Sequence, residues 1–242
     1  MGNNIKKYNK KYDYSYTFGA FPTIELLKNK INQVIEIVIS SKFSNDEVKD
    51  YIFSVCEEKN IRIRENDNLI NKINPKGNCF VIGVFRKYEE NLNMNESHVV
   101  LVNPSDFGNV GTIIRTSVGF GIKNIAIIEP SIDIYNPKVI RSSMGAIFKQ
   151  NVKRFKSFHE YYKSFSNHDM FLFMLDGTLE IEEVDRKSEK PYSLVFGNEA
   201  SGLDSKLREY GNSVFISHNN GIDSLNLAIA AAISMYKFSQ NT

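Results

Sequence analysis

Residues 98–111 read HVVLVNPSDFGNVG. One histidine leads an unbroken apolar run, Val99–Val102, and a turn rich in Pro, Ser, Asp, Gly and Asn follows it. A short apolar run without alternation suits a strand covered on both faces, as in a parallel sheet. Beyond the turn, Val110–Val118 carries apolar residues at helical spacing. The same strand-then-helix pattern repeats downstream. Further strands are predicted at Ile125–Ile128, Met170–Leu175, Leu194–Phe196 and Val214–Ile216. Helices are predicted at Pro137–Phe148, Phe158–Phe165, Ser205–Tyr210 and Leu225–Phe238. Strands alternating with helices give an α/β fold, a parallel sheet with helices on both faces.

Upstream, residues 86–97 (RKYEENLNMNES) are polar and have no period, so a linker is placed at 89–96. The residues before it read as a smaller α/β unit over 19–88. Ile24, Leu27, Ile31 and Val34 recur at helical spacing, with Thr23 placed as N-cap after Pro22. Val34–Ile39 reads as a strand, Asn45–Glu58 as a helix capped by Asn45, Ile61–Ile63 as a strand, Leu69–Ile73 as a short helix and Cys79–Phe85 as a third strand. Residues 97–242 form the second domain. Residues 1–18 interleave Lys6, Lys7, Lys10 and Lys11 with Tyr8, Tyr12, Tyr14 and Tyr16. That segment reads as a solvated, loosely ordered arm. Its composition also allows contact with RNA, rings on bases and lysines on phosphates.

Composition narrows the function. The 242 residues are 42% hydrophobic and 24% charged, an ordinary globular balance, with 30 Lys+Arg against 28 Asp+Glu and a net charge of +2. A polyanion partner would need basic groups gathered on one face, because bulk charge is nearly balanced. The 2 cysteines, Cys56 and Cys79, make no disulfide scaffold or zinc motif, which points to a reduced, cytoplasmic setting. No apolar stretch reaches membrane-spanning length, and no signal peptide or myristoylation motif opens the chain.

Three turns each leave the carboxyl end of a predicted strand: Asn103–Gly111, Gly197–Gly202 and Ser217–Asn226. Ligands of open α/β sheets bind along that edge, so the three turns predict one shared site. Glycines allow close backbone approach, while Asn and Ser supply neutral hydrogen bonds. The charges in and near these loops are Asp106, Arg115, Glu199, Asp204 and Asp223. The mix suits a polar ligand held by backbone and amides better than a metal-bridged triphosphate. Each turn alone is compatible with a structural role: Glu199 could cap a helix, Asn226 could satisfy its own backbone, and Arg115 could be a solvated helix arginine. The dinucleotide fingerprint, the P-loop and the nucleophile elbow are missing from the sequence. His98, His159, His168 and His218 fit no metal-ligand spacing, so no metal is expected. His98 reads as a strand start, and His159 and His168 as flanks of a surface helix.

At these loops the chain resembles the SpoU/TrmH family of RNA ribose 2′-O-methyltransferases, from about Ser97 to the C-terminus. Asn109-Val-Gly111 with Arg115-Thr116 resembles the family's first motif, Leu194 through Glu199 to Leu203 the second, and Ile216 through Ser224-Leu225-Asn226 the third. Arg141-Ser-Ser-Met-Gly-Ala146 resembles a further family segment. Ser217, His218 and Asn220 depart from the family's usual loop. The resemblance implies a C-terminal trefoil knot and S-adenosyl-L-methionine as cofactor, held by Gly197, Asn198, Ile216, Leu225 and Asn226. It implies catalysis by Arg115, Asn109, Glu199, Ser224 and Asn226, a homodimer, and RNA (rRNA or tRNA) as substrate, gripped by the small first domain. An inactive RNA-binding or ribosome-assembly protein of the same fold and a small-molecule nucleotide-binding enzyme are the alternatives.

Overall fold

The computed structural model describes residues 5–75, 79–185, 188–219 and 221–240. Asn220 lies outside the described residues. The chain divides into two compact units.

The first unit holds β1 (Tyr14–Phe18), α1 (Ala20–Asn29), β2 (Val34–Ile39), α2 (Asp46–Glu58), β3 (Arg62–Glu65), α3 (Asp67–Ile73) and β4 (Val81–Arg86). Its four-stranded sheet runs β1-β4-β2-β3, with β1 and β2 antiparallel to β4 and β3 parallel to β2. Asn45 caps α2 and Asn66 caps α3 through their side-chain oxygens. Thr23 is no cap. The helix begins at Ala20, and Thr23 lies inside its first turns, its hydroxyl donating to the Gly19 carbonyl. The buried Glu36 carboxylate is held by Arg64 of the adjacent strand at 2.6 Å.

Two expectations change in this unit. Residues 5–18 are no loose arm: Ile5 and Tyr16 are buried, and Tyr14–Phe18 forms the sheet's outer strand. The unit also takes in residues 133–149, which the sequence assigned to the second domain. Lys87 pairs with Asp133 at 2.7 Å, the Ser15 hydroxyl donates to the Tyr135 carbonyl at 2.5 Å, and Lys149 pairs with Glu25 at 2.7 Å. The helix predicted over Pro137–Phe148 is broken. Its first part, α5 (Pro137–Ser142), ends at Met144 and Gly145, both in the left-handed region, and a 3-10 turn follows over Ala146–Lys149. A Cβ on Gly145 would meet the backbone of Pro22 at 2.9 Å, so only glycine lets this turn lie against α1.

The second unit comprises residues 89–132 and 150–242, so the segment expected as a linker, 89–96, belongs to it: Leu92 is buried in its core and the Asn93 and Met94 carbonyls accept from buried imidazoles. Its elements are β5 (His98–Val102), α4 (Phe107–Gly119), β6 (Asn124–Ile128), β7 (Asn151–Phe155), α6 (Phe158–Ser164), β8 (Asp169–Phe173), β9 (Leu179–Glu180), β10 (Tyr192–Phe196), β11 (Asn212–Phe215) and α7 (Leu227–Ser239). The sheet is parallel, in the order β7-β6-β5-β10-β8-β11-β9. Every residue of β6 and β10 is buried, as a strand covered on both faces requires. Val100, Ala126, Leu172 and Val195 face α6, packing with Phe158, Tyr161 and Phe165. By the two-residue period their neighbours face the opposite way, and there Phe171 meets Phe238 of α7 at 4.7 Å between ring centroids. Strands β7 and β9 escaped the sequence reading. The segment predicted as a helix over Ser205–Tyr210 is a 3-10 helix.

His168 is no surface flank. It is buried with His98 in a polar chain: Nε2 of each imidazole donates to a backbone carbonyl, of Asn93 for His98 and of Met94 for His168. Between the rings, Tyr161 and Ser193 join them through contacts of 2.6–3.0 Å. Burial pushes His98 down to about 4.

Candidate functional site

Strand order reverses at β5, which has β6 on one side and β10 on the other. Crevices open at such switch points, outside the carboxyl ends of the strands. All three suspect turns lie at this edge, and a hydrogen-bonded chain joins them. Glu199, after β10, receives the backbone N–H groups of Ser105 and Asp106 at 3.1 Å each and the Ser105 hydroxyl at 2.7 Å. Asn109 donates its amide to Glu199 at 3.4 Å, and Asn226 donates its amide to Asn109 at 3.0 Å. Residues from all three turns therefore meet in one place.

The direction of this chain is fixed at both ends. The Asn226 oxygen caps α7, accepting from Ala228 and Ile229, so its NH₂ must face Asn109. The Asn109 NH₂ is then left for the carboxylate. Partial burial alone would raise the Glu199 pKa, but the Ser105 hydroxyl and the backbone N–H donors outweigh it and hold the carboxyl below its ordinary range. Asp106 caps α4 through the N–H of Asn109. Asn198 ties the second turn to the first, donating to the Asn103 carbonyl at 2.8 Å.

Beside this chain lies a cavity of about 350 Å³, large enough for a nucleoside-sized ligand. Gly197, Asn198, Glu199, Ile216, Ser224 and Leu225 line it, as does His218, whose Nδ1 lies 3.0 Å from the Ile216 carbonyl. Phe173, Phe196 and Val214 give it an apolar floor. A Cβ on Gly197 would stand 2.2 Å from the carbonyl carbon of Gly202, so the wall closes only with glycine there. Asn109, Asn226 and Arg115 are not among the lining residues. Arg115 is exposed on α4, and its side chain has no hydrogen bond or ion pair with any described residue. The sequence reading missed one wall, Met174–Asp176 after β8. There Gly177 packs so closely that a Cβ would meet the Val214 carbonyl carbon at 2.5 Å. Asp-Gly directly after an apolar run was the available signal. Among the described residues no cluster of His, Cys, Asp and Glu is placed to hold a metal ion.

Known proteins resemble this chain in sequence and in fold. The profile described as the SpoU rRNA Methylase family matches residues 96–236. An uncharacterized tRNA/rRNA methyltransferase of Synechocystis sp. is 30% identical over 57% of this chain and 51% of its own. The 23S rRNA (guanosine(2553)-2′-O)-methyltransferase of Bacillus subtilis is 27% identical over 61% of this chain and 60% of its own. The chain thus spans between half and three fifths of these two relatives. Among solved structures, a SpoU methyltransferase of Streptomyces viridochromogenes in complex with AdoMet superposes with a TM-score of 0.80 at 20% identity, covering 94% of this chain and 90% of that one. An AdoMet-bound rRNA methyltransferase from Sinorhizobium meliloti superposes with a TM-score of 0.78 at 24% identity, covering 94% and 87%. The profile match covers more than half of the chain and contains every residue of the Glu199–Asn109–Asn226 chain, so the protein belongs to the SpoU rRNA Methylase family.

Proposed function

We propose that this protein transfers a methyl group from S-adenosyl-L-methionine to a ribose 2′-hydroxyl of structured RNA, ribosomal or transfer. The observation that carries the reading is the meeting of three turns through Glu199, Asn109 and Asn226 beside an apolar-floored cavity. The residues fit the cofactor: the apolar floor suits its adenine and the glycine wall gives close backbone approach. Gly197, Asn198, Ile216 and Leu225 would hold it, with Asn226 fixing the third turn. The cofactor supplies a sulfonium methyl already activated for transfer to an oxygen. The protein's part is alignment and easing the loss of the hydroxyl proton. Asn109 and Ser224 orient the ribose, and Glu199 locks the turns. Arg115 is a phosphate clamp rather than a base, because a guanidinium keeps its proton in proteins.

The homodimer belongs to the same proposal. Ile229, Ile233 and Tyr236 stand on one stripe of α7 and are 52%, 38% and 57% exposed, an apolar face that a second copy would cover. A dimer also gives Arg115, whose side chain pairs with none of the described residues, a site to serve. The return of the chain to Asn109 at Asn226, after β11, supports the trefoil knot. The first unit is proposed as the RNA grip. Cys56 and Cys79 are buried and free, which supports a reducing cytoplasmic setting, and no described helix is long and apolar enough to cross a membrane.

Two measurements test the activity. S-adenosylhomocysteine should raise the melting temperature where NAD and ATP do not. Tritiated methyl should enter total RNA and map to a ribose 2′-oxygen. Absence of both effects overturns the proposal, and cofactor binding without methyl transfer to any cellular RNA would favour the inactive RNA-binding alternative.

A further inference from the structure

The Lys/Tyr alternation at the N-terminus sorts itself by depth. Tyr16 is fully buried, and Tyr8 and Tyr14 pack against the core cluster around Ile70, Ile73 and Ile82. The Tyr8 hydroxyl donates to Asp133 at 2.5 Å while its ring lies under the Lys87 ammonium at 5.3 Å. Tyr12 stacks on Tyr14 at 5.1 Å between centroids. The rings are thus occupied by the protein itself. Lys6, Lys7, Lys10 and Lys11 are all exposed, and none forms an ion pair with a described residue.

The backbone carrying these lysines is fastened. The Tyr16 hydroxyl donates to the Lys6 carbonyl, and Lys87 donates to the Lys10 carbonyl at 3.0 Å. Asn9 receives Lys11 N–H on its side chain at 3.0 Å and Tyr12 N–H on its carbonyl at 3.0 Å, and the Asp13 carbonyl receives Lys87 N–H at 2.7 Å. Asp133, which could have neutralised a lysine here, is spent on Tyr8 and Lys87. Asp13 is the one acid within residues 6–13. A chain with a net charge of only +2 therefore concentrates four unpaired cations on a strap whose ordering cost is met on folding.

We infer that the tyrosine-anchored strap Lys6–Lys11 is an electrostatic clamp for the RNA phosphate backbone. The inference rests on the RNA-substrate reading and adds the mode of contact: phosphates on lysines, with no base stacking by the tyrosines. Such contacts release counterions, so log K falls linearly with log salt by roughly 0.7–0.9 per phosphate neutralised.

The test uses the full-length protein and total ribosomal RNA, titrated by filter binding between 50 and 300 mM KCl. The fourfold variant Lys6→Gln, Lys7→Gln, Lys10→Gln, Lys11→Gln should lower the salt slope by about 3, and each single substitution by just under 1. Melting temperature and S-adenosylhomocysteine affinity, by calorimetry, should not change. An unchanged slope in the fourfold variant, with wild-type RNA binding intact, overturns the clamp and leaves the methyltransferase reading standing. A uniform loss of affinity with the same slope overturns it too, since a structural defect does that. Wild-type protein that neither binds nor methylates any RNA brings down both.

Discussion

Asn226 donates its side-chain amide to the Asn109 oxygen at 3.0 Å across 117 residues of sequence, while its own oxygen caps α7. One side chain thus holds a helix start and a site residue together. Asn226→Ala should lose both, costing about 1 kcal/mol of stability through the cap and most of the activity. Asn226→Asp separates the roles. A carboxylate still caps α7, but it opposes the Asn109 oxygen, and Asn109 can turn only by presenting that oxygen to Glu199. Urea denaturation should show near-normal stability for Asn226→Asp, while methyl transfer falls at least tenfold.

Arg115→Ala should abolish methyl transfer and leave cofactor affinity unchanged, since Arg115 does not line the cavity. Calorimetry with S-adenosylhomocysteine beside a tritiated-methyl assay checks both halves. Arg115→Lys should recover little, because a point charge does not replace a two-pronged hold on phosphate.

Gly197→Ala should weaken the cofactor by tenfold or more. A Cβ there would press into the Gly202 carbonyl carbon at 2.2 Å, backbone that yields only if the whole turn moves. Because Glu199 and Asn198 sit on the same turn, the first turn should loosen with it. A melting-temperature shift with S-adenosylhomocysteine as large as that of the wild type would contradict this account.

Acid stability follows from the buried imidazoles. His98 is lowered from 6.5 to about 4 and His168 is lowered as well, burial being the largest cause in both. The unfolded chain takes up these protons near pH 6.5 and the folded chain does not. Stability should therefore be full above pH 6.5, decline as pH falls towards about 4, and lose nothing further to His98 below that. The His98 contribution is on the order of 3 kcal/mol across that window. Denaturation midpoints at pH 7.5, 5.5 and 4.5 should fall less steeply with acid in His98→Gln, which keeps a donor for the Asn93 carbonyl.

Much of the second unit was legible because its strands are continuous apolar runs and its turns are rich in Gly and Asn. The turns alone place a shared site at this sheet edge, while the family resemblance singles out Glu199, Asn109 and Asn226 within it. What stayed hidden has physical reasons. In β1, Ser15 and Thr17 alternate with rings and look solvent-facing. They are buried because Ser15 donates to the Tyr135 carbonyl and Thr17 bonds Thr23, partners that sequence does not reveal. Strand β7 carries Lys153 and Arg154 at the sheet edge, where charge is tolerated. His168 resembled a surface residue because nothing local announces the Met94 carbonyl that satisfies it. The turn over Met144–Gly145 interrupts a helix whose apolar spacing continues through it.

The first unit is sewn from two pieces of chain, residues 1–88 and 133–149. During synthesis its sheet can begin to form from the earlier piece, yet Lys87, Ser15 and Glu25 find their partners only after Lys149 has left the ribosome exit tunnel. At roughly 5–20 residues per second, the growing polypeptide spends several seconds with that surface bare. A gene fragment stopping at residue 88 would make that interval permanent, so the expressed N-terminal piece should be prone to aggregation.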